Sequence, residues 1–514
     1  MEVKLEIYQI GQVFVERNNL WDDLQKYIES EALNHHAHEV EEKLFAMLRA
    51  IGKNCMKGVF INYGTGKSSY QIVDKKGDML PYHKVVTRQY QTIYGVIEIE
   101  RAGYWKKGSA MVFPLDEHFN LPEKRYSYLL EKWVQDGVAD APYDEVIQRI
   151  ENIFKIGLCK RGQEILSREV SKNVDVFYND HPHPTDITEG SIIVATSDCK
   201  GVVMVPRERS EQAQCKSICD MKARDGRGRK GLKRDAVVTA DYTYNPEVRT
   251  PEEVLELLMR SDTKEQHKAK KNKKKEEQLL GRPKIGVAIN KRVMASLEGK
   301  SSAFEDLADR ITQRDPLGQK NIFLQIDGAK SLEKGLLKTF KARGWLDRIV
   351  GVALDIIHVM EYVWELSTSL HGNSGEERVK WVKKQALAIL QGKVGYVIGG
   401  LKQILTKGEK LRTAQKKVLK KVITYFDNHK HMMKYDEYLA MGLPIATGII
   451  EGACGSLVKD RMERSGMKWT HYGAQAVLNL RALKRNGDWD KYWEFHIVNE
   501  HERLYGNFEK HIAA

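Results

Sequence analysis

The sequence predicts an α/β protein of several structural units, and three observations carry that reading. Five short, apolar, β-prone runs lie between 191 and 355: SIIVATSD (191–198), GVVMVP (201–206), AVVTADYTY (236–244), IFLQID (322–327) and IVGVALD (349–355). The last two are separated by a helical GLLKTFKARGW, which is βαβ order and implies a mainly parallel pair. Helical patterning fills the chain on both sides, and 514 residues exceed what one hydrophobic core usually supports.

In chain order, residues 1–82 read as a helical lead-in, with EVEEKLFAMLRAIGKNCMKGVF (39–60) placing apolar residues three and four apart. Residues 83–121 form a small β region: Ile97 and Ile99 share one strand face, Glu98 and Glu100 the other, and Gly95 is the turn. Residues 122–180 are helical again. There DEVIQRIENIF (144–154) and RGQEILSREVSKN (161–173) flank a tight connection, which fits a DNA-binding helix-turn-helix or two packed helices of an ordinary bundle. HPHPTD (181–186) is a Pro-rich linker, and 186–355 carries the strands together with the helical PEEVLELLMR (251–260). KEQHKAKKNKKK (264–275) has the composition of a solvated loop, with a grip on a DNA backbone as the alternative. Residues 356–444 are helical and lysine-rich and read as an inserted domain. Residues 445–485 bring a last helix over roughly 448–464, and 486–514 form a C-terminal tail.

Apolar residues make up 42% and charged residues 30%, and a mean hydropathy of −0.50 places the molecule in water. No apolar run approaches the roughly 18 residues of a membrane span, and the N-terminus lacks a secretion signal. An intracellular protein is expected. Lys plus Arg exceed Asp plus Glu by 83 to 70, giving +13 and a pI near 9.1, which favours a polyanionic partner. The six cysteines form no Cys-x-x-Cys pair and read as reduced thiols. His35, His36 and His38, without nearby cysteines, read as a surface helix rather than a metal site.

Three acids form the candidate constellation. Asp198 follows a strand, where a carboxylate capping a hairpin turn is its simplest structural role. Asp327 ends an apolar strand before Gly328 and Ala329, and sites in parallel sheets gather at the carboxyl ends of strands. Glu451 lies in ATGIIEGACGSLVKDRMERSGMKW (446–469). On a regular helix Val458 and Met462 fall nearly beneath it, and Lys459 and Arg461 fall about 80° to either side. Its structural alternative is a partly exposed helix with ordinary salt bridges. Two strand-end Asp and one helix Glu are hard oxygen ligands suited to magnesium, and paired ions on such ligands serve phosphodiester chemistry.

SDCKGVVM, KRDAVVTADYTYNPEVRTPEEV, FLQIDGAK, LDIIHVMEYVWE and IIEGACGSLVKDRMERSGMKW resemble, in that order, the blocks of bacterial insertion-sequence DDE transposases of the ISKra family, relatives of the Mutator group. The resemblance covers about 85–485. It implies an RNase H-like catalytic core interrupted by a helical insertion, with an N-terminal helical and small-sheet DNA-binding region. It further implies Asp198, Asp327 and Glu451 as a catalytic, metal-binding triad loaded with magnesium, or manganese. The expected partner is double-stranded DNA, both element ends and target, in the bacterial cytoplasm at the nucleoid, with a homodimer or higher assembly to pair two ends. Asp355 and His358 resemble an accessory element of the site. Their spacing puts both on one helical face, or Asp355 only caps a helix beginning near Ile356. Lys459, Arg461, Arg464 and Lys468 are the expected DNA contacts, and Trp364 is expected in the core. Relatives often carry a cysteine-bearing, zinc-ribbon-like segment after the small sheet. Residues 101–122 have no cysteine, so no zinc is expected there. The competing functions are a non-catalytic DNA-binding protein derived from a transposase and an RNase H-like nuclease without strand transfer.

Overall fold

The computed structural model describes residues 2–74, 76–180, 189–205, 221–224, 230–259, 286–407 and 411–506. The expectations for HPHPTD and KEQHKAKKNKKK lie outside the described residues. The chain divides into two compact units, Met1–Phe177 with Gly487–Ala514, and Tyr178–Asn486.

The first unit begins with two long helices, Glu2–Lys26 and Ala37–Tyr63. The second starts at a reciprocal cap in which the Glu39 carboxylate accepts from the His36 backbone N–H at 2.8 Å. His35, His36 and His38 are all exposed around this helix start. A short ribbon, β1 (Ile72–Val73) with β2 (Met79–Leu80), precedes the hairpin of β3 (Tyr82–Thr92) and β4 (Gly95–Tyr104). Gly95 sits at the turn with φ +129°, a conformation that favours glycine. The strand alternation holds: Ile97 and Ile99 are buried with Phe60, Tyr90 and Leu115, while Glu98 and Glu100 are exposed.

Helices Tyr143–Phe154 and Lys160–Ser171 match the two short helices read from the sequence. They are joined by a buried chain in which the Tyr143 hydroxyl donates to Ser167 Oγ at 2.9 Å and Ser167 Oγ donates to Gln135 at 2.6 Å. The expected C-terminal tail instead contains a 17-residue helix, Trp489–Tyr505. It buries Tyr492, Trp493 and His496, aromatic area that a solvated tail would leave in water.

The second unit is α/β with a mixed sheet of six strands: β5 (Ile192–Val203), β6 (Met221–Arg224), β7 (Lys230–Tyr244), β8 (Ala288–Ser296), β9 (Asn321–Ile326) and β10 (Ile349–Leu354). The order runs β10-β9-β5-β7-β6, with β8 also pairing β7. β10, β9 and β5 are parallel, and β7 is antiparallel to β5, β6 and β8. The two strands expected at 191–198 and 201–206 are one. β5 continues past Asp198 because β7 keeps supplying ladder partners as far as Val203↔Lys233.

Both faces of the central strands are covered, which is why β9 is buried without alternation from Ile322 to Ile326. Ile193, Ala195, Ile322, Leu324 and Ile326 pack against helices Lys300–Arg314 and Lys330–Ala342. A buried ion network, Arg310 to Asp241 at 2.7 Å and Arg314 to Glu189 at 2.9 Å, fastens the first of these helices. Val194 and Phe323, on the opposite face, join the core of helices Ile356–His371, Glu376–Leu390, Val394–Lys407, Thr413–His429 and Tyr435–Ala440. Trp364 packs partly buried against that core, with the Arg378 guanidinium 4.8 Å from its ring centre. No helix among the described residues is long and apolar enough to cross a membrane.

Candidate active site

The sheet register aligns three aspartates. Ser197 is paired with Ile326, and Ile326 with Leu354, so Asp198, Asp327 and Asp355 are the next residues along three adjacent parallel strands. By strand parity Asp198 and Asp327 share the face of Val194 and Phe323. β9 ends here because Gly328 turns the chain with φ +96°, and the Asp327 carboxylate accepts from the Ala329 N–H at 3.0 Å. β10 ends because Asp355 caps the Ile356–His371 helix, accepting from the Ile357 N–H at 3.0 Å.

Capping is only part of what Asp355 does. Its side chain is fully buried and also accepts from the Thr447 N–H at 3.2 Å and from the Thr447 hydroxyl. Thr447 is the N-cap of the Gly448–Ala453 helix, which carries Glu451. Asp355 therefore ties the end of β10 to the base of that helix. The three-residue spacing also operates, since His358 on the same helix places Nε2 3.8 Å from Glu451 Oε1. Asp355 thus caps the helix, as one sequence alternative had it, but capping is not its only role.

The Glu451 segment departs from a regular helix. After Ala453 it widens into a π-helical turn, Cys454–Lys459, before the short Asp460–Met462 turn. A fixed 100° step fails across such a turn, so Val458 and Met462 go to the core while Glu451 stays 42% exposed. The ion partner described for Glu451 is His358, in place of the expected Lys459 and Arg461. Arg461 is fully buried with its guanidinium 4.9 Å over the Trp469 ring, which corrects its assignment as a DNA contact. Lys459, Arg464 and Lys468 are exposed.

Among the described residues, one group of acids and histidine has its ligand atoms within 4.8 Å of one another: Asp355, His358 and Glu451. This group can hold a metal ion. It overlaps the expected triad only at Glu451. Asp198 and Asp327 act on it through charge, and the field is that of crowded carboxylates. Burial, then the Asp198 charge, raises the Asp327 carboxyl against the Ala329 hydrogen bond and His358. Burial raises Glu451 as well, assisted by Asp355, Glu361 and Asp198 and opposed by His358. For His358, burial disfavours the cation, yet the Glu361 hydrogen bond at 3.3 Å and the charges of Asp355, Glu361 and Asp327 outweigh it and raise its pKa.

Cys199, Cys454, Tyr425, His429 and Thr447 support the site and were missed from sequence. Asp198 has one oxygen bonded by the Cys199 N–H at 2.6 Å and the other by the Cys454 thiol at 3.1 Å. Burial pushes the Cys199 thiol up to about 12, and burial followed by the Asp198 charge raises Cys454, so both stay protonated. From the Thr413–His429 helix, the Tyr425 hydroxyl donates to the Asp327 carbonyl at 3.1 Å. His429 sets Nδ1 2.7 Å from the Tyr425 carbonyl and Nε2 2.8 Å from the Gly328 carbonyl. Carbonyls only accept, so at least one ring N–H donates here. Thr447 directly precedes the helix start at Gly448, where its residue type suits a cap, but nothing local shows that its hydroxyl pairs with Asp355. Tyr425 and His429 sit in a lysine-rich amphipathic helix and carry no sequence signal. No protein-family model matches the chain, and comparison with curated proteins finds no match.

Proposed function

We propose that this protein is a DDE-type transposase. It binds the terminal inverted repeats of an insertion sequence, hydrolyses the DNA strand and transfers the resulting 3′-hydroxyl end to target DNA. The observation that carries this reading is the row of Asp198, Asp327 and Asp355 on adjacent strands, met by Glu451 from a helix about a hundred residues farther along the chain. On this reading the mixed sheet is an RNase H-like core, and the helices between β10 and Gly448 are its insertion.

The donor set suits a hard divalent ion, magnesium or manganese. Carboxylates dominate, and burial, helped by neighbouring carboxylates, raises the Asp327 and Glu451 carboxyls. Asp198, Asp327 and Glu451 would hold the ions, with Asp355 and His358 beside them. When bound, such ions activate an attacking oxygen and stabilise the leaving one. The chain's residues do the rest. Asp355 and Thr447 hold the Glu451 helix, and Tyr425 with His429 holds the backbone that presents Asp327. His358 lies between Glu361 and Glu451, and its raised pKa favours a cation there that counters carboxylate repulsion. Lys459, Arg464 and Lys468, together with the helix pair Tyr143–Phe154 and Lys160–Ser171, supply DNA contacts on this reading.

The test uses the DNA flanking the gene as substrate, with magnesium and a target plasmid. The wild type cuts the repeats and yields joined products, while Asp327→Asn binds them without cutting. Undiminished magnesium-dependent cutting by Asp327→Asn rejects the metal-binding assignment. Ends that are cut but never joined identify a nuclease instead.

A further inference from the structure

We infer that the N-terminal helical hairpin, Glu2–Lys26 with Ala37–Tyr63, is a self-association surface that pairs antiparallel with the same hairpin of a second copy of this chain. The hairpin's inner face is satisfied: Val13, Leu24 and Tyr27 are buried. On the first helix Phe14 and Trp21 are 43% and 51% exposed, and Ile28, in the π-helical turn Tyr27–Glu31 that follows it, is 50% exposed. The spacing of seven between Phe14 and Trp21 drifts only about 20°, so these two large apolar side chains form one stripe on the helix, with Ile28 just beyond its end. The second helix carries a stripe of its own, with Leu48 and Val59 half exposed and Cys55 exposed between them. Isolated exposed apolar residues need no account, whereas heptad-spaced stripes on helices of 25 and 27 residues are the pattern of helices that pack against partners.

Charge selects the partner. The two helices run side by side in opposite directions, with Lys57 3.9 Å from Glu16 and Gly58 against Val13. Toward the connecting turn, residues 20–49 hold seven acids (Asp22, Asp23, Glu29, Glu31, Glu39, Glu41, Glu42) against three bases. At the other end, residues 2–19 and 50–63 hold three acids (Glu2, Glu6, Glu16) against four bases (Lys4, Arg17, Lys53, Lys57), a small excess of positive charge. An acidic tip repels phosphate, so nucleic acid is a poor occupant in a chain that is otherwise basic. An antiparallel pair of these hairpins sets each acidic tip against the partner's basic end, while parallel pairing opposes like charges. Such charges contribute little to affinity and mainly fix orientation, and the apolar stripes supply the attraction.

Sedimentation velocity on the full chain tests it across a dilution series from about 100 μM to about 0.1 μM, a range that brackets micromolar affinity. The wild type is expected to shift between dimer and monomer masses, or to remain dimeric. Phe14→Glu with Trp21→Glu is expected to weaken dimerisation at least ~10-fold with unchanged circular dichroism, because both positions are exposed in the protomer. Asp22→Lys with Asp23→Lys is expected to weaken it too, and mixing that variant with Lys53→Glu, Lys57→Glu is expected to restore a mixed dimer. A wild type that is monomeric throughout, or a dimer untouched by the Phe14 and Trp21 changes, overturns the inference. A dimer strengthened by Asp22→Lys with Asp23→Lys overturns its antiparallel geometry.

Discussion

The buried Asp355 carboxylate accepts hydrogen bonds from both the backbone N–H and the hydroxyl of Thr447, 92 residues away. These bonds connect the end of β10 to the N-cap of the Glu451 helix. Thr447→Val keeps the shape and removes the hydroxyl donor, leaving a fully buried charged oxygen short of a partner. The expected loss is about 1–3 kcal/mol of stability in the sheet-containing unit, measured by urea unfolding, while Thr447→Ser stays near wild type. Equal stability of the Val and Ser variants would show that the hydroxyl bond is not used.

At Gly328 the backbone adopts φ +96°, and an added Cβ would lie 2.9 Å from the Tyr425 hydroxyl and 3.0 Å from Leu354 Cδ1. Gly328→Ala therefore combines backbone strain with a clash beside Asp327. We expect about 1–3 kcal/mol of destabilisation. Tyr425→Phe is the gentler probe, since it preserves the stack on Tyr362 at 3.9 Å and removes only the bond to the Asp327 carbonyl. On the transposase reading it lowers the cutting rate about 10- to 100-fold with the melting temperature nearly unchanged. A variant that melts early but cuts at the wild-type rate when folded would assign Tyr425 to packing alone.

The four basic residues after Glu451 should separate into two classes. Lys459→Ala, Arg464→Ala and Lys468→Ala are expected to leave stability intact and to reduce the salt dependence of DNA binding, each lowering the slope by about one for a phosphate it no longer neutralises. Arg461→Ala is expected instead to destabilise the fold by about 2 kcal/mol or more, because it empties a fully buried position against Trp469. Thermal melts and salt titrations of the four variants distinguish the classes, and a stable Arg461→Ala with weakened DNA binding would reverse its correction.

His496 makes the first unit acid-sensitive. Burial pushes its pKa down from 6.5 to about 4, against the Glu500 charge. As pH falls below about 6.5, the unfolded chain protonates this imidazole while the folded one stays neutral until about pH 4. The unfolded state then binds more protons, so stability rises with pH across this window and is lost as pH falls. The ceiling is about 3 kcal/mol. Nearby Glu131, raised by burial and by Glu169 and Glu500, contributes with the opposite sign, so the wild-type curve alone is ambiguous. The difference between wild type and His496→Phe isolates the histidine. It should grow steadily from pH 6.5 to 4, and a flat difference would rule the effect out.

Much of the fold was legible because its signals are local. The parity of Ile97 and Ile99 against Glu98 and Glu100, the parallel pair of β9 and β10, and the helix pair after Asp144 all follow from side-chain periodicity within a dozen residues. Errors arose where a distant partner decided. β5 runs through Asp198 because β7 lies beside it. Trp489–Tyr505 is a helix that buries Tyr492 and Trp493.

The sequence by itself determined that Asp327 and Asp355 end strands, that Asp355 begins a helix, and that Glu451 lies on one, since these depend on neighbouring residues. Only the tertiary structure decided their grouping. Strand register brings Asp198, Asp327 and Asp355 into one row, Thr447 binds Asp355 across 92 residues, and a π-helical turn sends Arg461 inward while Glu451 meets His358. Register and helix phase are set by the packing of whole elements, so no local stretch of sequence contains them.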